Sequence, residues 1–267
     1  MTVIQRRVRV YDDKATLASA VAARFIKRIG KVLAAKERAH VVLTGGTMGE
    51  AVLAAVRESD ARDRVDWSRV TFWWGDERYL ARGDEDRNET QARRALLEAL
   101  DLDPSQIKAF PALGEHGSIE EAASAYAAEL AAAAGEGEST PVFDVTFLGV
   151  GPDGHVASLF PDHDAVRDTT SIVLAETNSP KPPPERLTLT LGVLNSSERI
   201  WLVLAGADKA GALGLTLANA NPHDVPAAGV QGRKRTVFFV DRDAASEVPE
   251  NLLVRERFWT AAHDVQR

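Results

Sequence analysis

Apolar residues recur at helical spacing between Asp13 and about Lys36, at Leu17, Ala20, Val21, Phe25, Ile29, Val32 and Leu33, and predict an amphipathic helix. Val8 to Val10 ahead of it reads as a short strand. His40-Val41-Val42-Leu43 is an apolar run too short for a helix and predicts a strand, which Thr44-Gly45-Gly46-Thr47 breaks before Met48 to Arg57 resumes a helical pattern. Val70 to Trp74 predicts another strand, ended by the loop Gly75-Asp76-Glu77-Arg78. Helices are expected over Asn88 to Leu100 and over Ser118 to about Ala134, and a strand over Phe143 to Leu148. That strand runs straight into GVGPDGHVASLFPDH, residues 149–163. Later strands are expected at Ser171 to Ala175, Leu187 to Leu191, Ile200 to Ala205 and Val237 to Val240, with a helix over Asp208 to Asn219 and a final segment carrying Phe258 and Trp259.

Strands alternating with helices predict an α/β fold: a mostly parallel twisted sheet with helices on both faces. No internal repeat and no long linker divides the chain, so one domain over residues 1–267 is expected, with Gly135 to Ser139 and the Pro-rich Ser179 to Pro184 as surface loops. In open α/β sheets ligands bind beyond the carboxyl ends of the strands. Three loops occupy such ends, Thr44 to Thr47, Gly75 to Arg78 and Gly149 to His163, and would face the same side.

Composition narrows the chemistry. Hydrophobic residues are 45% and charged residues 27% of the chain, as in a soluble globular protein. There is no cysteine, which removes disulfides, thiolate metal sites and a cysteine nucleophile. The net charge of −7 argues against a general nucleic-acid or membrane-surface binder, whose affinity comes from contacts to phosphates. No apolar leader or membrane-length run is present, so a cytoplasmic enzyme or binding protein is the expectation.

Thr44-Gly45-Gly46-Thr47 joins a strand to a helix. Its glycines can turn backbone N–H groups toward an anion at the helix N-terminus, or it is an ordinary turn with a threonine cap. Neither a Walker loop nor the full dinucleotide fingerprint is present, which disfavours nucleotides. In Gly75-Asp76-Glu77-Arg78 the guanidinium of Arg78 suits a phosphate or carboxylate, unless Asp76 only caps a turn and Glu77 pairs with Arg78 in solvent. His155 carries an imidazole, the side chain type suited to a general base near neutral pH, and Asp153 is placed to orient it or a water. His163, after Pro161, is expected on a surface turn, and Gly232 to Arg235 on a solvated one. No metal-binding histidine spacing and no nucleophile elbow around Ser158 support a metallohydrolase or a serine hydrolase.

Together TGGT, WWGDERYL, GVGPDGHVASLFPDH, SPKPPPERLTLTL and AGADKAGAL stand in the order found in 6-phosphogluconolactonases, which the chain resembles from about Val41 to Leu213. The resemblance implies the Rossmann-like architecture shared with glucosamine-6-phosphate deaminases. It implies hydrolysis of 6-phospho-D-glucono-1,5-lactone in the oxidative pentose phosphate pathway, with no metal and no organic cofactor. Carried over, His155 is the base that activates water and Asp153 its helper. Gly45, Gly46, Thr47, Asp76, Arg78, Gly151, Gly154, Lys181 and Arg186 would bind substrate, the last two as the family's basic pair. Lys209 matches a recurrent family position of unassigned role, and a solvated lysine is an equal reading of it.

The nearest rival is the deaminase, whose corresponding loop resembles G-x-G-x-D-G-H-I-A-F-N-E-P; its acid five positions after the histidine is Phe160 here. A non-catalytic sugar-phosphate sensor is the other, but the segment ahead of the first loop reads as a strand and one helix, not a helix-turn-helix. The expected partner is a small sugar-phosphate lactone, with no nucleic acid and no membrane, and the expected state is a monomer.

Overall fold

The first predicted helix is α1 (Lys14–Leu33), opened by Asp13, whose carboxylate accepts from the Thr16 N–H at 2.7 Å. It follows β1 (Arg6–Tyr11), and its apolar stripe buries Leu17, Val21, Phe25 and Ile29 completely. Burying a side chain the size of Phe25 contributes roughly 1.5–3 kcal/mol. The computed structural model describes residues 6–249 and 253–254, so Phe258 and Trp259 lie outside the described residues.

The chain continues through β2 (Ala39–Leu43), α2 (Gly46–Arg57), β3 (Val70–Trp74), β4 (Asp76–Arg78), α3 (Asn88–Ala95), β5 (Ile107–Lys108), α4 (Ile119–Ala132) and β6 (Val145–Leu148). It then forms α5 (Asp164–Arg167), β7 (Val173–Glu176), β8 (Arg186–Leu189), α6 (Leu191–Asn195), β9 (Arg199–Leu204), α7 (Ala210–Leu217), β10 (Arg235–Asp241) and β11 (Leu253–Val254). Eight strands pair in the order β11-β1-β10-β9-β6-β2-β3-β5, every pairing parallel. Phe25 of α1 meets Phe147 edge-on on one face, and Tyr126 of α4 meets Trp73 on the other. Helices therefore cover both faces, as the pattern predicts.

Three expectations are corrected. Gly75 to Arg78 is not a loop throughout: Asp76–Arg78 is a strand, pairing antiparallel with β8, which pairs antiparallel with β7. The expected strands near Ser171 and Leu187 thus leave the main sheet and form, with β4, a small antiparallel one. The reason is length, since the nine residues 177–185 between β7 and β8 are too few for the helical crossover that a parallel neighbour needs. The helix expected to reach Leu100 ends at Ala95 and is followed by a single tight turn over Leu97–Ala99.

The strand order reverses between β6 and β2. This is where an open α/β sheet parts its loops and leaves a crevice. The Gly149 N–H, just beyond β6, donates to Thr44 Oγ1, just beyond β2, at 3.4 Å, so the first and third predicted loops meet there. Among the described residues, no helix is long and apolar enough to cross a membrane.

Candidate active site

A cleft of about 470 Å³ opens at this reversal. Gly45, Gly46 and Thr47 line it from the first predicted loop, Asp76 and Arg78 from β4, and Gly151 and His155 from the loop after β6. Lys181 and Arg186 reach it from the small sheet and the Pro-rich loop before β8. The three loops do converge, and β8 brings a fourth wall.

His155 and Asp153 form a pair, Nδ1 to Oδ1 at 2.5 Å. Burial alone would raise the Asp153 carboxyl, but the bond to His155 and the charges of His155 and Lys181 outweigh it and hold it at about 2. A carboxylate on Nδ1 keeps the proton of a neutral imidazole there, so Nε2 is left as the acceptor. Phe160 packs against the ring at a centroid distance of 4.8 Å and is itself fully buried. Gly151 makes room for the pair, because a Cβ there would lie 2.0 Å from His155 Nδ1 and 2.3 Å from Asp153 Oδ1. Gly154 does not line the cleft; its φ of +85° and its contact with Val225, 2.7 Å from a built Cβ, are what require glycine.

The cleft is cationic despite the protein's net charge. Lys14, Arg78, Lys181, Arg186 and Lys209 line it, against the carboxylates of Asp76 and Asp208. Arg78 and Arg186 stand directly opposite each other in the β4–β8 register, an unfavourable place for two like charges unless an anion lies between them. Arg186 also shapes its own loop, donating from Nε to the Pro183 carbonyl at 2.9 Å and from Nη2 to those of Pro182 and Lys181 at 3.0 and 3.2 Å. Lys181 Nζ then sits 3.4 Å from His155 Nδ1 and 3.9 Å from Asp153 Oδ1. Burial pushes the Lys181 ammonium down; Asp153 opposes this, while the charges of Lys209 and Arg186 add to it. An incoming anion would relieve that crowding.

Sequence similarity agrees with this geometry. The sequence model described as glucosamine-6-phosphate isomerases/6-phosphogluconolactonase matches residues 12–239. The chain is 49% identical over 247 residues to a 6-phosphogluconolactonase of Streptomyces coelicolor, an alignment covering 91% of this chain and 95% of that one. It is 45% identical to the 6-phosphogluconolactonase of Mycobacterium leprae, over 91% of this chain and 98% of the relative. The crystal structure of 6-phosphogluconolactonase from Thermotoga maritima superposes with a TM-score of 0.77 at 26% identity, covering 89% of this chain and all of that one.

The chain belongs to the glucosamine-6-phosphate isomerase/6-phosphogluconolactonase family.

In this family member several residues of the cleft have no signal of their own in the sequence. Lys209, which the sequence left between a family position and a solvated lysine, follows β9 and lines the cleft. Lys14, in the first turn of α1, and Asn88, the first residue of α3, line it too. Glu77 is fully buried behind it and accepts from the N–H groups of Arg78, Asn88 and Glu89 at 2.8, 2.7 and 2.9 Å. His163 follows the turn at Pro161 and Asp162, as expected, but is half-buried there and bonds Glu176 through Nδ1 at 3.0 Å on a second hollow lined by Asp162, Asp164, Asp168 and Glu176. That hollow is acidic and would repel a phosphate.

Two buried groups give opposite pH dependences. Burial pushes Glu77 up to about 7, against the pull of Arg87 and its three N–H donors, so its contribution to stability falls as pH rises from about 4.5 through 7. Burial pushes His40 down to about 4, opposed by Asp144 and reinforced by Arg38 and Lys36, so its contribution is lost as pH falls from about 6.5 through 4. His40 Nδ1 accepts the Trp73 indole N–H at 3.1 Å, and protonation would break that bond. The two slopes nearly cancel in the unsubstituted protein. His40→Asn keeps an acceptor for Trp73 and uncovers the Glu77 slope. Urea unfolding of that variant is expected to give a stability about 2 kcal/mol higher at pH 5 than at pH 7. A variant more stable at pH 7 than at pH 5 would refute the assignment.

Proposed function

We propose that the chain hydrolyses 6-phospho-D-glucono-1,5-lactone to 6-phospho-D-gluconate, as the lactone-opening step of the oxidative pentose phosphate pathway. The observation that carries this reading is His155, bonded behind to Asp153 and lining a cleft with five cations. A lactone is an activated ester, so it needs a held water, a base and donors for the developing oxyanion, but no covalent nucleophile.

The phosphate dianion is received by the N–H groups at the start of α2, which has no side-chain cap, together with the neighbouring lysines. That remote handle sets the lactone carbonyl against His155. Water attacks C1 as its proton passes to Nε2, and Asp153 steadies the imidazolium that forms. The negative charge on the carbonyl oxygen is taken up by the cationic wall. On collapse the C1–O5 bond breaks, O5 receives the proton from Nε2, and the new carboxylic acid gives its remaining proton to solvent and leaves as a carboxylate. The residues invoked supply the proton transfers and charge without a metal, and the reaction is that of a soluble cytoplasmic enzyme working on a small molecule.

Phe160 bears on the deaminase reading. It stands where that chemistry requires an acid, and it packs on the catalytic imidazole as an apolar wall.

The deciding assay uses freshly generated lactone, with the spontaneous opening measured in parallel, and glucosamine 6-phosphate as the competing substrate. Opening well above the spontaneous rate, with no ammonia released from the amino sugar, is the expected result. Deamination without lactone opening would overturn the proposal.

A further inference from the structure

Three segments of the cleft meet at one buried amide. Asn88 is only 3% exposed, and its backbone N–H is fixed by Glu77 Oε1 at 2.7 Å. Its Nδ2 faces the main-chain carbonyl of Asp76 at 2.8 Å and the Asp76 carboxylate oxygen Oδ1 at 3.4 Å. Both are acceptors, so the amide must present its NH₂ there and turn its oxygen the other way. On that side Oδ1 is buried without a hydrogen-bond partner. It lies against Gly45, where a Cβ would come within 1.8 Å of it. Gly45 itself has an extended backbone, φ −82° and ψ −165°, that any residue could adopt. Glycine is therefore required at 45 by Asn88, not by the turn.

Ser158 Oγ donates to the other carboxylate oxygen of Asp76 at 2.7 Å, so Asp76 is held from two sides, and Asn88 links it to the glycine loop. A buried acceptor without a donor is costly, and an apolar residue of similar shape would avoid that cost. We propose that Asn88 is a positioning residue that couples the Gly45–Thr47 loop, which receives the substrate's phosphate, to the Asp76 carboxylate, a second hold on the substrate. The amide sets the spacing between the two holds on the non-reacting parts of the substrate. This rests on the lactone reading of the same cleft.

The test is a double-mutant cycle of Asn88→Ala and Gly45→Ala. Asn88→Ala is expected to raise KM for the lactone about tenfold while kcat stays within about threefold, the pattern of lost uniform binding. Gly45→Ala alone is expected to raise KM by about tenfold or more, but by less than about twofold when Asn88 is already alanine. Equal penalties for Gly45→Ala in both backgrounds, or a fall in kcat at unchanged KM in Asn88→Ala, would overturn the proposal. Should Asn88→Ala not fold, Asn88→Ser gives the same cycle. Calorimetric titration of the same four proteins with 6-phosphogluconate separates the two readings. Absence of lactone turnover in the unsubstituted protein removes the lactone reading, whereas additive losses of product affinity remove the coupling.

Discussion

His155→Ala is expected to lower kcat for the lactone by roughly 10²- to 10⁴-fold, the range a positioned general base supplies. The other carboxylates of the cleft are already engaged, Asp76 by Ser158 and Asn88, and Asp208 by Lys209. Asp153 is held ionised at about 2, too weak a base to accept a proton from water at neutral pH, and Lys181 and the arginines are cations. Binding should survive, because the phosphate is held by other residues. The affinity for 6-phosphogluconate, measured by calorimetry, is expected to stay within about threefold. Asp153→Asn should cost a comparable factor by a different route. An amide can present its NH₂ to Nδ1, which moves the proton of the neutral ring to Nε2 and removes the acceptor. A His155→Ala protein retaining more than a tenth of the original kcat would show that the base lies elsewhere.

Arg87→Met is expected to destabilise the fold by about 3–5 kcal/mol, the cost of removing one partner from a buried ion pair. Arg87 is completely buried. Its Nη2 donates to the Phe110 carbonyl at 2.8 Å and lies 3.4 Å from Glu89 and 3.7 Å from Glu77; its Nη1 donates to the Leu80 carbonyl at 3.1 Å. Methionine fills most of the volume, so the loss reports charge and hydrogen bonds more than a cavity. Glu77 would then keep its three N–H donors but lose its counter-charge. Adding Glu77→Gln to Arg87→Met should recover part of the loss, since a neutral amide no longer needs the cation. Urea unfolding measures both, and a loss below about 1 kcal/mol for Arg87→Met would mean that the pair is not what holds β4 to α3.

These two residues mark the limits of what the sequence could reveal. His155 was legible because a short apolar strand ran directly into a glycine-rich loop, and the strand-end rule put that loop with two others. Arg87 and Glu77 were not, because their partners are gathered only when β4 and the start of α3 fold against each other. Three charged residues after a strand read as a loop, yet Asp76 is matched by Ser158 and Glu77 by Arg87 and the start of α3. Burial of charge depends on partners that local pattern does not show. Lys181 and Arg186 were reachable only through resemblance, since nothing in SPKPPPER foretells that β8 turns antiparallel beside β4. The glycines divide in the same way. Their flexibility was readable, but the reasons for Gly45 and Gly151, an amide and an imidazole pressed against their Cα atoms, needed the tertiary structure.

The facing of Arg78 and Arg186 across β4 and β8 has a wider consequence. The Asp76 carboxylate already opposes the charge of Arg78 at Arg186, and any small anion that settles beside the two guanidinium groups binds only the folded chain, so it steadies the protein as well as occupying it. Inorganic phosphate and sulfate would do both. The catalyst is therefore tuned to its surroundings: in a medium rich in such ions it is sturdier and slower, and in a poor one quicker and more fragile.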